Sequence, residues 1–393
     1  MKLAVFAILA ALVHAAPTKR QEDQDGDVIS LDLTYNSPQL VDDEPEIIHK
    51  AAKVPHNVPV TDWARELMYS TQIQVGTPPQ TVTLHLDTGS GDLAIWNGDN
   101  CTMPECKSPT NQPQFHPKDS STFKLVNTSA PPLLQYGIGF SRGVWAQDRV
   151  SLGGFTQEHQ NFLAQYGGET GYAGRNVTGL LGMSFGELSV GKKIKTNWIA
   201  NAIGRFKKPM FSFYLQHTSA LANETIPVST PGGVLTLGGV NKKYFKGKIR
   251  YTKVKQPLGF WRIPLDVAKF NGEAITNGTA EAVIDTGTSL IYGPTAIVDQ
   301  AMGSIPGANK YQGMWRVPCN TTATFSLTFS GKEWTIPPRD FLYVASRADP
   351  RQCYTAIVPS VSSYWLVGDS FLKNVYSVFQ WKPARVGFAE LRV

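Results

Sequence analysis

The chain has 393 residues, of which 42% are hydrophobic, and its formal net charge is +6. This apolar fraction is enough to bury a sizeable core, so the composition excludes a chain that is disordered throughout. The length predicts two or three core-sized units. Positive charge can signal nucleic-acid binding, but the basic and aromatic run at 242–248 lies in no nucleic-acid-binding motif. We interpret it as a solvated turn and strand edge, and we expect no nucleic-acid partner.

Residues 1–16 are predicted to be a secretory signal. Lys2 precedes an apolar run at 3–13, and small residues follow at 15–16. One positive charge, a short apolar run and small residues are typical of such signals. The alternative, a membrane anchor, is disfavoured because the run is too short to span a bilayer. We therefore expect a secreted, extracellular protein without a membrane anchor, rather than a vacuolar one.

An acidic region follows the predicted signal. Residues 1–65 carry a net charge of −4, whereas the rest of the chain carries +10. Residues 17–60 are interpreted as a removable prosegment that docks on the basic body through opposite charges. A disordered tail is the alternative explanation of the same composition. The dibasic pair at 19–20 offers a site to processing proteases.

The cysteines and the glycosylation sequons agree with secretion. Four cysteines permit three pairings, and pairing by proximity joins Cys101 to Cys106 and Cys319 to Cys353. Disulfides are favoured over a metal site because the chain has no C-x-x-C and no histidine pair at ligand spacing. Asn-x-Ser/Thr sequons, each of them weak evidence alone, occur at Asn100, Asn127, Asn176, Asn223, Asn277 and Asn320.

Short strands dominate the sequence from residue 69 onward. Segments bounded by Gly, Pro and Asn predict strands at 72–75, 81–86, 234–237 and 249–254. Only a few segments have a helical pattern, notably 196–205 and 295–302. The expected fold class is therefore all-β.

Two matching motifs end apolar strands in the two halves of this region. The first is Leu-His-Leu-Asp-Thr-Gly-Ser at 84–90, and the second is Ala-Val-Ile-Asp-Thr-Gly-Thr at 282–288. An apolar-apolar-Gly element follows each motif, at 180–182 and at 366–368. A given tripeptide occurs by chance in a chain of this length with a probability of roughly one in ten. Two copies in the same context therefore indicate a duplicated structural unit.

A pair of aspartates brought together by such a duplication has a specific chemistry. Asp87 and Asp285 could not easily both ionise, so they would share a proton and titrate as a unit. One carboxylate can take a proton from a water molecule that attacks a peptide carbonyl, while the protonated partner polarises that carbonyl and helps protonate the leaving nitrogen. This chemistry requires no metal ion and no cofactor. The motifs predict peptide-bond hydrolysis with Asp87 and Asp285 as the catalytic pair.

With these motifs the chain resembles the pepsin-like (A1) family of aspartic proteases over residues 66–393, and its fungal secreted members in particular. The resemblance rests on Asp-Thr-Gly-Ser at 87–90, Asp-Thr-Gly-Thr-Ser at 285–289, Tyr-Gly-Ile-Gly at 136–139, Val-Gly-Thr-Pro-Pro-Gln at 75–80 and Trp-Leu-Val-Gly-Asp at 365–369. The two cysteine pairs match family disulfides. The resemblance implies a bilobal fold of two pseudo-symmetric β lobes, at 61–245 and 246–393, with the active-site cleft between them.

The resemblance also implies roles for individual residues. Thr88 and Thr286 would brace the two motifs, while Ser90 and Thr288 would hydrogen-bond the outer carboxylate oxygens. The flap, a hairpin that closes over substrate, would have its tip at 136–139. Substrate-binding residues are expected at His85, Tyr136, Gly137, Ile138, Gly287 and Thr288. The expected partners are protein and peptide substrates, the chain's own prosegment and pepstatin-type inhibitors, for a monomer with an acidic pH optimum and a preference for hydrophobic residues flanking the cut.

Three positions depart from the family pattern. Ala94 stands where many members have a tryptophan that hydrogen-bonds the flap tyrosine, and Trp96 lies two residues later. Ile138 replaces a polar flap residue and is followed by Phe140; in fungal relatives an acidic residue at this place goes with acceptance of lysine on the amino side of the cut. His85 stands where the family usually has an apolar residue. These departures bear on flap positioning and substrate preference, not on the catalytic pair.

Two other functions compete with this interpretation. The Gly-x-Ser-x-Gly pattern at 182–186 matches the nucleophile elbow of serine hydrolases, which need an acid and then a histidine after the serine. The only later histidine is His217, and the sole acid between it and Ser184 is Glu187, so this reading fails. The alternative that remains is a non-catalytic binding protein on the same fold. Loss of either aspartate would have indicated it, and both are present.

Overall fold

A computed structural model of the chain describes residues 56–63, 66–101, 114–126, 132–137, 139–170, 177–217, 229–346 and 348–392. The predicted signal and most of the predicted prosegment lie outside the described residues. Cys106 and Ile138 also lie outside them, as do the sequon residues Asn127, Asn176 and Asn223.

Strands make up most of the described chain, so the predicted all-β class is confirmed. The strands up to residue 237 are β1 His56–Trp63, β2 Met68–Val75, β3 Gln80–Asp87, β4 Leu93–Trp96, β5 Lys124–Leu125, β6 Leu133–Gln135, β7 Gly139–Leu152, β8 Phe155–Thr170, β9 Gly179–Gly182, β10 Met210–Leu215 and β11 Ser229–Leu237.

The strands that follow come from the second half of the chain. They are β12 Phe245–Lys253, β13 Arg262–Leu265, β14 Val267–Phe270, β15 Glu273–Ala274, β16 Ala280–Ile284, β17 Ile291–Pro294, β18 Asn309–Tyr311, β19 Met314–Pro318, β20 Phe325–Phe329, β21 Lys332–Ile336, β22 Leu342–Ala345, β23 Gln352–Thr355, β24 Ile357–Ser360, β25 Trp365–Val367, β26 Tyr376–Gln380 and β27 Arg385–Leu391. The four predicted strands lie in β2, β3, β11 and β12, although residue 254 falls outside β12.

Helices are few and short among the described residues. The α-helices are α1 Trp198–Ala202, α2 Thr295–Gly303, α3 Pro338–Phe341 and α4 Asp369–Leu372, and 3₁₀ turns occupy Pro117–Asp119, Gly186–Leu188, Lys192–Ile194 and Ile203–Arg205. The predicted helices at 196–205 and 295–302 correspond to α1 with its following 3₁₀ turn and to α2. None of the described helices is long and apolar enough to cross a membrane.

The local sequence explains why the first motif ends a buried strand. In β2 the exposed Gln72 and Gln74 alternate with the buried Ile73 and Val75, which is the period-two pattern of a strand with one wet face. Its neighbour β3 is buried at every position from Val82 to Asp87. A strand covered on both faces places its terminal carboxylate in the interior.

One large sheet joins the two predicted lobes. Its order is β12-β27-β26-β10-β11-β1-β2-β3-β9-β4-β8-β7-β5, with β6 paired to β7. The second half adds a five-stranded sheet, β13-β16-β25-β17-β24, and two four-stranded sheets, β15-β14-β20-β21 and β18-β19-β23-β22. The predicted boundaries at 60/61 and 245/246 fall inside β1 and β12, which both belong to the large sheet, and the boundaries themselves stay predictions.

The two halves repeat one strand arrangement around each aspartate motif. In the first half β9 lies between β3 and β4, parallel to β3 and antiparallel to β4, and β4 runs parallel to β8. In the second half β25 lies between β16 and β17 in the same way, and β17 runs parallel to β24. This duplicated topology is the pseudo-symmetric, bilobal arrangement that the sequence predicted.

The disulfide prediction is confirmed for the pair whose two cysteines are both among the described residues. Cys319, after β19, bonds to Cys353 in β23. Cys101 is also in a disulfide, while Cys106 lies outside the described residues, so that pairing stays a prediction. The cross-link in the second half ties the sheet β18-β19-β23-β22 together at its two central strands.

Candidate active site

The two aspartates occupy equivalent places at the ends of buried strands. Asp87 is the last residue of β3, and its carbonyl accepts a hydrogen bond from the amide of Met183 at 2.7 Å. Asp285 directly follows β16, and its amide donates to the carbonyl of Val367 at 3.0 Å. Each aspartate is only 7% exposed. The strands therefore hold both carboxyl groups at the same depth, with a small part of each accessible.

Each carboxylate is held by two donors from its own motif. For Asp87, the amide of Gly89 donates to Oδ1 at 2.8 Å and the hydroxyl of Ser90 donates to Oδ2 at 2.5 Å. For Asp285, the amide of Gly287 donates to Oδ1 at 2.8 Å and the hydroxyl of Thr288 donates to Oδ2 at 2.6 Å. These contacts fix the orientation of both carboxyl planes, and those to Asp87 favour its ionised form.

The threonines of the two motifs bond reciprocally across the junction. The hydroxyl of Thr88 donates to the carbonyl of Ile284 at 3.0 Å and accepts from the amide of Thr286 at 2.9 Å. The hydroxyl of Thr286 donates to the carbonyl of Leu86 at 2.9 Å and accepts from the amide of Thr88 at 3.1 Å. Both threonines are fully buried. The four bonds lock the two loops face to face.

The glycines of the motifs allow the carboxyl groups to meet. A Cβ atom on Gly89 would lie 2.6 Å from the carboxyl atoms of Asp285, and one on Gly287 would overlap Oδ1 of Asp87. Each glycine is thus packed against the carboxylate of the opposite motif, and no side chain fits at either position. Glycine is required here for close approach rather than for a left-handed backbone.

The proximity of the carboxyl groups changes their acidity. Burial, and then the negative charge of Asp285 and a hydrogen bond with it, raise the pKa of Asp87 well above its ordinary value, against the opposing hydrogen bonds from Ser90 and Gly89. Two carboxyl groups this close cannot both carry full charge cheaply, so the pair holds one shared proton over a range of acidic pH. The site can therefore present one base and one acid together.

The hairpin predicted as the flap lies between β6 and β7. Strand β6 pairs with the start of β7, and the amide of Tyr136 donates to the carbonyl of Gly139 at 3.1 Å. A Cβ on Gly137 would meet none of the described atoms within 4 Å, and Gly137 is exposed. Ile138, which the sequence places at the tip, lies outside the described residues.

Comparison with known proteins agrees with this geometry. The family described as eukaryotic aspartyl protease matches residues 68–391. The chain belongs to this family. Among relatives, the protease is 30% identical to major aspartyl peptidase 1 of Cryptococcus neoformans var. grubii over 85% of this chain and 71% of the relative. It is 28% identical to an aspartic protease of Phaffia rhodozyma over 98% and 96%, and 31% identical to human cathepsin D over 83% and 81%.

The protease carries a third carboxyl group behind Asp285 that the sequence analysis gave no role. Asp369 begins α4, is fully buried, and its amide donates to the carbonyl of Thr288 at 2.8 Å. Neither of its carboxylate oxygens has a hydrogen-bond partner among the residues that the structure describes. Burial, and then the charge of Asp285, raise the pKa of Asp369 well above its ordinary value, against the opposing charge of Lys373. The rule that found the other two aspartates, an acid ending an apolar strand, could have found this one.

A buried ionic cluster lies next to Asp369. The ammonium of Lys373 contacts the carboxylate of Glu66 and lies 3.0 Å from Oδ1 of Asp340. His217 Nδ1 lies 3.4 Å from Asp340 Oδ1. Burial alone would raise the pKa of Asp340, but the hydrogen bond from His217 and the charge of Lys373 outweigh it and lower that pKa to about 2. Sequence reasoning missed this cluster because Glu66 and Lys373 are 307 positions apart.

Three residues of this cluster are of types that can bind a metal ion, and they form the group of this kind found among the described residues. Ligand atoms of Glu66, His217 and Asp340 lie within 4.8 Å of one another. Lys373 already supplies a cation to both carboxylates. A metal ion would have to displace this ammonium or share the space with it, so the group fits an ion-pair network better than a metal centre.

The departures at Ala94 and Trp96 have a structural explanation. Both residues lie in β4, where positions two apart share a face. Ala94 packs in one cluster with Leu134 and Tyr136, and Trp96 packs in another with Tyr136 and Leu180. The ring of Tyr136 therefore contacts both clusters. The indole near Tyr136 thus belongs to Trp96, two positions further along the same strand than Ala94.

His85 and the sequon residues complete the predicted set. His85 lies in β3 opposite Ser70 and Leu180 and is 7% exposed. The sequon asparagines within the described residues, Asn100, Asn277 and Asn320, are all exposed. Ser184 of the Gly-x-Ser-x-Gly pattern is fully buried, and its hydroxyl donates to the carbonyl of Phe185 at 3.4 Å. A buried serine cannot present a nucleophile to substrate, which agrees with rejecting the serine-hydrolase reading.

Proposed function

We propose that the protease is a secreted endopeptidase in which Asp87 and Asp285 activate a water molecule for attack on peptide bonds at acidic pH. The observation that carries this proposal is the direct packing of Gly89 against the carboxyl of Asp285 and of Gly287 against that of Asp87. A side chain at either glycine would push the carboxyl groups apart, so the two glycines are what lets the pair form. Such a pair is suited to accept one proton while donating another.

In the proposed reaction the ionised carboxyl of the pair takes a proton from the water as its oxygen bonds to the substrate carbonyl carbon. The protonated carboxyl hydrogen-bonds the carbonyl oxygen, which becomes the hydroxyl of a tetrahedral intermediate. The pair then passes a proton to the nitrogen and the carbon–nitrogen bond breaks. As the product carboxyl forms, a hydroxyl of the intermediate returns its proton to the pair, which is left with one proton again. Gly287, Thr288, Tyr136 and Gly137 are proposed to hold the substrate backbone across the cleft.

Substrate preference is proposed to be for apolar or aromatic residues flanking the cut. Ile138 at the flap offers no charge partner for a lysine side chain, unlike an acidic residue at the same place. Ile138→Asp is expected to raise cleavage after lysine in a peptide library. Ile138→Asn is not expected to do so, because asparagine has the size of aspartate but no charge. Strong cleavage after lysine by the unmodified protease would contradict the proposal.

Secretion and activation are proposed from the N-terminal sequence. Residues 1–16 would be removed as a signal and residues 17–60 as a prosegment, leaving a monomeric, glycosylated enzyme. Support comes from the exposure of Asn100, Asn277 and Asn320 and from the charge contrast between the acidic N-terminal region and the basic body. Intact-mass measurement of the protein from culture medium, before and after acid treatment and deglycosylation, tests each of these removals and additions.

The deciding experiment is digestion of casein or haemoglobin by the purified protein across the acidic pH range, with and without pepstatin. The proposal expects cleavage that rises toward acidic pH and is abolished by pepstatin. The alternative, a non-catalytic binding protein on the same fold, expects no cleavage at any pH. Cleavage that persists in pepstatin would indicate a contaminating protease or a different catalytic group.

A further inference from the structure

A basic cleft lies at the edge of the large sheet, seven strand positions from β3. It has a volume of about 190 Å³ and is lined by Lys246, Gly247, Lys248, Arg250, Lys332, Trp334 and Glu390. Within the described residues, β12 pairs with β27 on one side only, so its other side is a free edge. The cleft is therefore separate from the aspartate pair.

The lining of the cleft has a strong excess of positive charge. Lys246, Lys248 and Arg250 are exposed. The one acidic residue of the lining, Glu390, is paired with Lys332 at 2.7 Å, and that hydrogen bond holds the pKa of Glu390 below its ordinary value. Four cations thus face a single carboxylate that is already neutralised. Like charges at this spacing repel, and an anion entering the cleft would relieve that repulsion.

The wall of the cleft also contains a hydrogen-bond donor without an acceptor. Trp334 is 6% exposed, and its buried Nε1 has no hydrogen-bond partner within the described part of the chain. The ammonium of Lys332 lies 5.3 Å from the centre of its ring. A buried indole N–H normally finds an acceptor. This N–H is itself inaccessible, so the exposed cations, and not the indole, provide the chemistry of a site for an anionic group.

The backbone at the cleft is opened by a bulge. The pairing of β12 with β27 shifts register between Lys246 and Arg250, and Gly247 between them has a left-handed φ of 70°. The ladder is interrupted where the lysines stand, so the side chains at 246 and 248 are presented from an irregular edge rather than a regular one. A charged, bulged edge also discourages pairing with a second copy of the chain.

We propose that this cleft docks the acidic segment 21–46 of the chain's own N-terminal region in the precursor. This segment contains nine Asp and Glu residues and no Lys, Arg or His. It is tethered to the same chain, so its local concentration at the cleft is high. The inference deepens the proposed function, because it names the surface that holds the prosegment.

The chain between this segment and the start of β1 is long enough for the segment to reach the cleft. His56 pairs with Leu237, and β1 is five strand positions from β12 in the sheet. Five spacings amount to roughly 24 Å, with a further displacement along β12. The ten Cα–Cα steps from position 46 to His56 span up to ~33 Å when extended. Carboxylates from 46 back toward 21 can therefore reach the lysines.

Docking of this kind would be released by acid. Asp and Glu lose their charge near pH 4, whereas Lys246, Lys248, Arg250 and Lys332 keep theirs. Glu390 protonates in the same range but below its ordinary pKa, so the cleft becomes more positive while its occupant becomes neutral. The attraction is present at neutral pH and is lost where the aspartate pair becomes active.

The test that identifies the occupant is carboxylate-to-lysine cross-linking of the precursor. The precursor would carry Asp285→Asn, so that it cannot process itself, and would be treated with a zero-length carbodiimide at neutral pH. We expect cross-links from peptides within 21–46 to Lys246, Lys248 and Lys332. They should exceed those to the exposed pair Lys192 and Lys193 by about tenfold at low salt. In about 0.5 M NaCl, where the Debye length falls to ~4 Å, the difference should disappear.

The matching functional test uses precursors with both aspartates intact. Lys246→Glu/Lys248→Glu is expected to convert to the mature form about tenfold faster than the unmodified precursor at mildly acidic pH. Lys192→Glu/Lys193→Glu, with the same charge change elsewhere, is expected to convert at the unmodified rate. Conversion rates are read by intact mass.

Two outcomes would overturn the docking proposal. One is cross-linking of 21–46 spread evenly over lysines, or found mainly between two copies or at another surface. The other is an equal conversion rate for the cleft variant and its control. If no precursor converts or cleaves protein at any pH, the proposed function fails, and the cross-linking result still decides whether the segment docks in this cleft.

Discussion

The two aspartate motifs have the same backbone and different surroundings. Gly182 ends β9 and Gly368 directly follows the equivalent strand β25, and the next residue is Met183 in one half and Asp369 in the other. Met183 is a buried thioether whose carbonyl accepts a hydrogen bond from Trp261 at 3.0 Å. Asp369 is a buried carboxyl beside the ionic cluster of Lys373. The duplication thus fixes positions of atoms, while the electrostatic environment is decided separately in each half.

The largest expected effect comes from removing one member of the pair, which tests whether both halves are needed. Asp87→Asn or Asp285→Asn preserves the shape of the side chain but removes the shared proton. We expect each variant to lose at least ~10³-fold in turnover, since one proton-transfer partner contributes roughly 10²–10⁴-fold. Turnover on a peptide substrate at acidic pH, with circular dichroism to verify folding, is the measurement.

The matched control for this experiment is Asp119→Asn, an aspartate at an exposed position. It is expected to retain full turnover. A variant of Asp87 or Asp285 with near-normal turnover would remove the catalytic assignment of that half. A large loss in one half only would show that the pair is chemically unequal.

The next effect concerns the reciprocal threonines and asks whether the two halves contribute equally to stability. Thr88→Val leaves the carbonyl of Ile284 and the amide of Thr286 without partners, and Thr286→Val does the same to the groups that it contacts. Each unsatisfied buried group costs about 1–3 kcal/mol, so each variant, which leaves two such groups, should lose roughly 2–6 kcal/mol in the free energy of unfolding. Denaturant unfolding measures this loss.

Substitution of either threonine by serine provides the control, because serine keeps the hydroxyl and loses only a methyl group. Both serine variants should remain within about 1.5 kcal/mol of the unmodified protein. Unequal losses in the two valine variants would show that the junction is less symmetric than its hydrogen bonds suggest.

The sequence allowed much of this arrangement to be predicted, because the relevant signals are local. Each Asp-Thr-Gly follows an apolar run, and the strands that contain them have turn residues at their ends. The Cys319–Cys353 disulfide followed from proximity. These features depend on residues within a few tens of positions of one another.

Other features could not be predicted, since they depend on contacts between distant segments. The contact of Lys373 with Glu66 joins residues 307 positions apart, and nothing near either residue indicates the other. The contribution of Trp96 was visible only as a departure, because its packing against Tyr136 requires the flap hairpin to lie beside β4. Burial of charge is likewise a property of the whole fold.

A smaller effect separates the two kinds of buried acid in the second half through the pH dependence of stability. The raised pKa of Asp369 means that the folded state holds a proton that the unfolded state has already released. Stability therefore falls as pH rises above about 4, by up to ~1.4 kcal/mol per pH unit for one group. Asp369→Asn should make this fall shallower. Unfolding free energies between pH 3.5 and pH 7, in an Asp87→Asn background to prevent self-digestion, measure it.

Asp340 provides the comparison of opposite sign. Its pKa is lowered to about 2, so its ionised form stabilises the fold above pH 4 and this stabilisation is lost as pH falls through about 2. Asp340→Asn should lower the free energy of unfolding at neutral pH by about 2 kcal/mol, because this is the energy that corresponds to the lowering of the pKa of Asp340. The substitution should have little effect near pH 2. The same slope in both variants would contradict the different environments of the two acids.

The smallest expected effect is at His85, which stands two positions before Asp87 where the other half has Val283. Residues two apart in a strand share a face, so His85 lies on the same side of β3 as the carboxyl of Asp87. Burial opposes protonation of an imidazole, whereas nearby carboxylates favour it. A protonated His85 would lower the first apparent pKa of the Asp87–Asp285 pair. It would also make the expected substrate-binding site more tolerant of polar substrate side chains. His85→Val, which copies the second half, should therefore move the acidic limb of the pH–rate profile upward by less than about one unit. It should also tighten the preference for hydrophobic residues on the amino side of the cut.

His85→Gln keeps hydrogen-bonding capacity without a titratable proton, so it should reproduce the shift of the acidic limb but not the full change in preference. An unchanged limb and an unchanged cleavage profile in both variants would mean that His85 only packs, and that the first half differs from the second here in shape alone.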